Sequence, residues 1–123
     1  MKILIVEDEK ALSGALHDKF TALGYEVKAV LEGGSAYQEA KSFLPDIILL
    51  DILLPRKNGF QVLQELKADP DIKNIPVIML SNLDTDEDIK KSLQLGAVDY
   101  FVKSNHPIKE VVEKVKEQLL KAK

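Results

Sequence analysis

Residues 45–59 read PDIILLDILLPRKNG, and this stretch decides the fold. The four apolar residues from Ile47 to Leu50 are followed directly by Asp51, and a second apolar run then begins. A short uninterrupted apolar run is typical of a strand that is buried on both faces of a parallel sheet. A carboxylate at the end of such a strand loses its hydration at a cost unless a cation or hydrogen-bond donors lie beside it. The stretch therefore predicts a central strand that ends in a carboxylate with a partner.

Similar apolar runs recur on both sides of this strand, separated by segments with helical spacing. The predicted strands cover residues 3–6, 25–30, 47–50, 77–80 and 98–102. This alternation predicts an α/β fold, (βα)₅, with a doubly wound five-stranded parallel sheet whose strands are joined by crossover helices. In the second run Glu26 and Lys28 alternate with smaller or apolar residues, which indicates one solvated face. We therefore expect that strand at an edge of the sheet.

Five helices are predicted between and after these strands, each from apolar residues at steps of three and four. The first spans Ala11 to Leu23 with Gly24 as its cap, the second ends before Pro45, the third ends near residues 69–70, the fourth covers residues 84–95 with Gly96 at its end, and the last starts at about Pro107. Acids at the start of the fourth helix and lysines later in it match the helix dipole. Its charges therefore have an explanation without a functional role.

Length and composition favour one compact domain over residues 1–123. The chain has 46% hydrophobic residues, a net charge of −3 and no cysteine. Positive and negative charges are interspersed, so direct nucleic-acid binding is not expected, and neither disulfides nor thiolate metal sites can form. The first residues lack the apolar core of a secretory signal, and no run approaches the roughly 18 apolar residues of a membrane span. We expect a cytoplasmic protein without membrane attachment.

Polar residues follow four of the predicted strands, where a doubly wound sheet binds its ligands. These residues are Glu7, Asp8, Asp51, Ser81 and Lys103. Taken singly, most have ordinary explanations: the acids near residue 7 can serve a helix start, Ser81 can cap a helix, and Lys103 can lie in solvent. Their convergence on one crevice is the stronger interpretation, because chance does not place them at four strand ends.

Three clustered carboxylates repel one another unless a cation lies among them. Lys103 alone would leave most of that charge uncompensated. Carboxylates and water suit a hard divalent ion such as Mg²⁺, or Mn²⁺ in its place, rather than zinc. The sequence therefore predicts a magnesium site at this edge of the sheet.

Four motifs together resemble the receiver domain of two-component response regulators, over essentially the whole chain. They are ILIVEDE with the acidic pair, PDIILLDILLPRKNG with the acceptor, PVIMLSN with the hydroxyl, and GAVDYFVKS with an aromatic residue and the lysine. The resemblance implies a flavodoxin-like fold with strand order 2-1-3-4-5. It also implies a phosphoacceptor switch, rather than a turnover enzyme, that receives its phosphoryl group from a sensor histidine kinase or a histidine phosphotransfer protein.

The resemblance further assigns roles to single residues. Asp51 would accept the phosphoryl group, and Mg²⁺ would be held by Asp8, by Asp51, by the backbone carbonyl of Leu53 and, through water, by Glu7. Lys103 and Ser81 would contact phosphoryl oxygens, and Ser81 would act with Tyr100 as the switch pair. The implied output surface is the fourth helix, the last strand and the last helix, which a downstream effector would read; the oligomeric state stays open.

Three departures from the family pattern stand near these residues. Residues 104–106 replace the proline that usually follows the lysine, so the loop after Lys103 is expected to differ in shape. Asn82 stands where a small residue is usual, and an amide there would affect access of the phosphodonor. Leu53 and Leu83 cannot orient an attacking water, which predicts a long-lived phosphoaspartate.

Three other functions fit parts of the pattern. A flavin-binding module shares the architecture, but the acids at residues 7–9 would repel a nucleotide phosphate. An aspartate-based phosphohydrolase needs a second carboxylate two residues after the acceptor, where this chain has Leu53. A receiver that serves only as a docking scaffold, without phosphorylation, shares every fold feature, and the complete acidic set together with Ser81 and Lys103 argues against it.

Overall fold

A computed structural model describes residues 1–121 of the chain. Within those residues five strands and five helices alternate. They are β1 Lys2–Val6, α1 Lys10–Ala22, β2 Glu26–Val30, α2 Ala36–Phe43, β3 Ile47–Leu50, α3 Gly59–Ala68, β4 Val77–Ser81, α4 Asp86–Gln94, β5 Asp99–Val102 and α5 Ile108–Lys121. The predicted strands are confirmed, and β3 has the predicted bounds.

The strands form one parallel sheet in the order β2-β1-β3-β4-β5. This order is the one that the receiver resemblance implied, and it places β2 at an edge, as its alternating charges predicted. β3 lies in the middle, and all four of its residues are buried. Asp51 therefore follows the central strand, with the carboxyl ends of β1 and β4 on either side.

Apolar side chains form one core layer on each face of the sheet. One layer joins the apolar sides of α1 and α5, with Leu16 and Val115 at its centre. The other joins α2 and α3, through residues such as Ala40 and Leu63, and Ile89 of α4 packs against it. Helices on both faces confirm the doubly wound class, and they leave the carboxyl edge of the sheet open to ligands.

Two helix boundaries show what the local sequence controls. α1 and α4 are each followed by a glycine in the left-handed region, Gly24 with a φ of +92° and Gly96 with a φ of +112°. α4 begins at Asp86, two residues later than expected, because Thr85 accepts a hydrogen bond from the Asp88 N–H at 3.1 Å and acts as the N-cap.

The loop after Lys103 turns directly onto β5. The Asn105 N–H donates to the Val102 carbonyl at 3.0 Å, and the peptide bonds of residues 1–121 are all trans. The His106 ring packs edge-on against Phe101 with 5.1 Å between centroids. His106 is therefore half-buried. None of the helices in the described part of the chain combines the length and apolar character that a membrane span needs.

Candidate functional site

A crevice of 230 Å³ opens at the carboxyl edge of the sheet, where four strands end. It is lined by Asp8, Glu9, Asp51, Leu53, Asn82 and Lys103. These residues come from the segments that follow β1, β3, β4 and β5. The crevice therefore brings together the ends of four strands, as the fold predicted.

Asp51 is buried at the base of this crevice, with 4% of its surface exposed. One carboxylate oxygen, Oδ1, accepts a hydrogen bond from the N–H of Ile52 at 2.7 Å. The other oxygen, Oδ2, accepts a hydrogen bond from Nζ of Lys103 at 2.9 Å. A carboxylate with a backbone donor on one oxygen and a cation on the other is held in one orientation.

Glu7 is buried even more deeply than Asp51, at 2% exposure. Its Oε2 accepts from the N–H of Glu9 at 2.9 Å, and its Oε1 lies 2.7 Å from Nζ of Lys103. Burial raises the pKa of Glu7 to about 7; the charge of Asp51 raises it further, and the contacts with Lys103 and the Glu9 N–H oppose the rise. Glu7 is thus a carboxyl group that changes charge near neutral pH.

Lys103 lies between these two carboxylates, and only 12% of its side chain is exposed. Burial by itself would lower the pKa of Lys103, but its contacts with the carboxylates of Glu7 and Asp51 outweigh this effect, and the pKa is raised. Glu9 adds a third carboxylate at 3.7 Å from Nζ. Lys103 is therefore a fixed cation of the crevice and does not point into solvent.

The donor set at this crevice fits a hard divalent cation. Glu7, Asp8 and Asp51 each offer a carboxylate oxygen, and these oxygens lie within 4.8 Å of one another. Among residues 1–121, Oε1 of Glu7 finds no hydrogen-bond partner of good geometry, in spite of its contact with Lys103. Oxygen ligands of this kind match the preference of Mg²⁺.

Ser81 and Tyr100 meet at a different place, below the loop that follows β4. Ser81 is fully buried, and its Oγ accepts from the Leu83 N–H at 3.4 Å, a long contact. The Tyr100 hydroxyl donates to the carbonyl of the same leucine at 2.5 Å, and burial raises the pKa of Tyr100. The structure thus brings the two predicted switch residues onto Leu83, while Asn82 is the residue of this loop that faces the crevice.

One contributor to the site, Glu9, and one role, that of the Leu83 backbone, were not predicted. Glu9 lines the crevice and contacts Lys103, and its signal was the third acid of the ILIVEDE motif. Leu83 serves through its backbone N–H and carbonyl, which no side-chain pattern reveals. Leu53 lies at the crevice as expected, with 57% of its surface exposed.

Known proteins share both the sequence pattern and the fold. The family model of the response regulator receiver domain matches residues 3–116. Response regulator PleD of Caulobacter vibrioides is 40% identical over 111 residues, which are 90% of this chain and 24% of PleD. The phosphate regulon transcriptional regulatory protein PhoB of Rhizobium meliloti is 36% identical over 122 residues, which are 99% of this chain and 53% of PhoB.

A solved structure gives the same answer for the fold. The phosphorylated cyanobacterial phytochrome response regulator RcpA superposes with a TM-score of 0.81 and 33% identity, covering 97% of this chain and 93% of RcpA. The chain spans between about a quarter and about half the length of PleD and PhoB, so the match concerns one module that these relatives share. The chain belongs to the response regulator receiver domain family.

Proposed function

We propose that this chain is a single receiver domain, residues 1–123, in which Asp51 accepts a phosphoryl group from a phosphohistidine of a sensor kinase or histidine phosphotransfer protein. The observation that carries the proposal is the burial of Asp51 at the end of the central strand, in contact with Lys103 at 2.9 Å. The similarity to RcpA, whose structure is of the phosphorylated protein, supports it. We propose that this phosphoryl transfer occurs in the cytoplasm.

The transfer is an exchange of one bond for another on phosphorus. An Asp51 carboxylate oxygen attacks and forms the new P–O bond, while the P–N bond of the phosphohistidine breaks and its electron pair leaves on the imidazole nitrogen. Lys103 bonds to Asp51 before the reaction and can move its ammonium group to a phosphoryl oxygen. The protein contributes position and charge and needs little acid–base chemistry.

Asp8 and Asp51 would hold Mg²⁺ directly, with the Leu53 carbonyl as a further ligand and Glu7 acting through water. The bound ion would screen the carboxylates from the incoming phosphoryl anion. Mn²⁺ has the same preference for oxygen ligands and is expected to substitute. Lys103 already neutralises part of the charge on Glu7 and Asp51, and so prepares the crevice for an anion.

The proposed switch depends on the hydroxyl groups of Ser81 and Tyr100, which both contact the backbone of Leu83. A phosphoryl group on Asp51 offers new acceptors to the Ser81 hydroxyl, and the weak 3.4 Å contact with the Leu83 N–H is easily given up. A change at Leu83 reaches Tyr100 through its hydroxyl, and so reaches β5. We propose that a kinase drives this change and that an effector reads it on α4, β5 and α5.

Intact mass after incubation with acetyl phosphate tests the acceptor role. We expect a gain of one phosphoryl group that needs Mg²⁺ and that Asp51→Asn abolishes. Asp46→Asn, at the opposite end of β3, is the matched control, since it removes a carboxylate outside the crevice. A modification that persists in Asp51→Asn would place the acceptor elsewhere.

The same experiment separates the switch from a docking scaffold. Beryllofluoride mimics the phosphoryl group without a donor, and its binding is read from amide chemical shifts of residues near Asp51. Wild-type protein that neither gains mass nor binds the mimic with Mg²⁺ would overturn the proposal in favour of a scaffold without phosphorylation.

A further inference from the structure

We infer that the loop between β2 and α2 positions the loop between β3 and α3, which is also called the acceptor loop because it follows Asp51. Gly33 is the positioning residue, and the inference rests on the proposed function. The β2–α2 loop comprises residues 31–35, and the β3–α3 loop comprises residues 52–58, which follow Asp51 and include Leu53. The two loops touch at their backbones, although they belong to different βα units.

Gly33 is buried against the backbone of the β3–α3 loop. A Cβ atom at Gly33 would lie 1.8 Å from the carbonyl oxygen of Lys57, a distance at which backbone must move. The Gly33 N–H donates a hydrogen bond to the carbonyl of Pro55 at 3.1 Å. One glycine therefore gives both close contact and a hydrogen bond, and no other residue type fits this place without displacing the acceptor loop.

The contact falls on a strained turn of that loop. The Lys57 N–H also donates to the Pro55 carbonyl, at 2.8 Å, which closes a γ-turn around Arg56. Arg56 has a φ of 72°, in the left-handed region that side chains other than glycine rarely adopt. Strain of this kind persists only where the surroundings hold it, and the Gly33 contacts supply that support.

An ion pair adds a smaller contribution at the same place. Nε of Arg56 lies 2.9 Å from Oε2 of Glu32, and the arginine side chain is 76% exposed. Exposed pairs stabilise weakly, so the pair contributes a small but measurable share of the support of the turn, and the buried glycine contact contributes the larger share. Glu32 precedes Gly33 directly, so the Glu32–Arg56 ion pair and the Gly33 contact join the same two loops.

The far end of the β3–α3 loop is fixed in the same manner. A Cβ atom at Gly59 would lie 2.1 Å from the carbonyl oxygen of Asp51, and the Gly59 N–H donates to the Ile52 carbonyl at 2.7 Å. Gly59 thus fixes the start of the β3–α3 loop through its contacts with Asp51 and Ile52. Gly33 fixes the later part of the loop through its contacts with Pro55 and Lys57. Leu53, whose carbonyl is the proposed metal ligand, lies on this path.

Gly33→Ala tests the inference, with Gly14→Ala on the exposed side of α1 as the matched control, since a Cβ there meets nothing within 4 Å. We expect Gly33→Ala to weaken Mg²⁺ binding by about tenfold or more, as is usual when the support of a metal ligand is lost. Calorimetric titration with Mg²⁺ alone measures this. Amide shifts of residues 52–54 and 56–57 in metal-free protein should change in Gly33→Ala and stay constant in Gly14→Ala.

These two measurements distinguish positioning from general stability, because a purely structural role would leave the Mg²⁺ affinity of folded molecules unchanged. Wild-type affinity in a folded Gly33→Ala protein would overturn the inference and leave the proposed function intact. Failure of the wild-type protein to bind Mg²⁺ would overturn the proposed function itself.

Glu32→Ala keeps the test available if Gly33→Ala does not fold. We expect a weaker loss of Mg²⁺ affinity, of about twofold to threefold, because Glu32→Ala removes the exposed ion pair with Arg56 and the hydrogen bond that Glu32 accepts from the Ser35 N–H in the β2–α2 loop. The double variant Glu32→Ala/Arg56→Gly should regain the affinity, because glycine at position 56 adopts the positive φ without strain. Glu39→Ala, which breaks the exposed pair with Lys28, is the control and should have no effect. Equal affinities in Glu32→Ala and wild type would contradict the inference.

Discussion

The loops after β3 and β4 leave neighbouring strands but are held in different ways. In the β3–α3 loop the Pro55 carbonyl accepts two backbone hydrogen bonds, and Asn58 and Gln61 form a reciprocal cap at the start of α3. In the loop after β4, residues 82–85, the middle residue Leu83 is held by the hydroxyl groups of Ser81 and Tyr100. Hydroxyl groups can change hydrogen-bond partners by rotation, whereas the backbone N–H groups that donate to Pro55 cannot. One loop is thus built to stay in place, and the other is free to respond.

Lys103→Met should have the largest effect on stability, because it affects the crevice that both loops border. Removing one member of a buried charge cluster costs about 3–5 kcal/mol, since Glu7 and Asp51 would remain buried without their cation. Urea unfolding at pH 8 without metal measures the loss. Lys28→Met, which removes an exposed partner of Glu39, is the control and should cost at most about 1 kcal/mol. Equal costs for the two variants would show that the crevice charges do not depend on Lys103.

Leu53→Asn should change the lifetime of phosphorylated Asp51, because Leu53 lies in the β3–α3 loop at the crevice. The leucine side chain is exposed at the crevice and cannot orient water, so we expect a long-lived phosphoaspartate in the wild-type protein. An amide in its place can hold a water near phosphorus and should shorten the lifetime on the order of tenfold. The decay of phosphorylated mass after removal of the donor measures this. Rapid decay in the wild-type protein would contradict the prediction, and Leu44→Asn, an exposed leucine far from the crevice, is the control.

Glu7→Gln should reduce the pH dependence of the free energy of unfolding, because Glu7 is buried in the crevice beside Asp51. Burial raises the pKa of Glu7 from 4.5 to about 7, so between these pH values the folded protein binds a proton that the unfolded chain has released. Stability without metal should therefore fall as the pH rises through this window and then level. Urea unfolding from pH 4.5 to pH 8 measures the slope. The slope should shrink in Glu7→Gln and persist in Glu87→Gln, a change at an exposed position of α4.

Tyr100→Phe should have the smallest effect, and only on the responsive loop. It removes one hydrogen bond to the Leu83 carbonyl, a loss of about 1 kcal/mol or less. We expect unchanged phosphorylation of Asp51 but faster amide hydrogen exchange in residues 82–85. A slower phosphorylation in Tyr100→Phe would show that the two loops are not separate in function. Tyr25→Phe, at the opposite end of the sheet, is the control.

The fold was predictable because apolar runs report burial directly. Ile47–Leu50 is buried on both faces, so the run and the strand coincide. The start of α4 was less certain, since a run of acids suits several first turns and only the Thr85 cap decides among them. For the site, the strand-end rule placed Asp51 and Lys103 together.

The remaining details of the site depend on contacts that no local pattern encodes. The contact of the Ser81 Oγ with the Leu83 N–H depends on how the following loop turns. The contact of Gly33 with Lys57 joins two loops that are distant in sequence. Backbone carbonyls such as that of Leu83 carry no side-chain signature at all. Sequence therefore predicts which groups meet more readily than how they are oriented.

The edge strand β2 has a consequence for how these molecules behave at high concentration. Its outer side offers unpaired backbone groups to any extended segment, which is the usual starting point for aggregation between sheets. Glu26 and Lys28 are both exposed on this strand, and Lys28 also bonds to Glu39. A second strand that approached this edge would have to desolvate these charges. The alternation that first identified β2 as an edge thus also protects the folded protein from self-association through that edge.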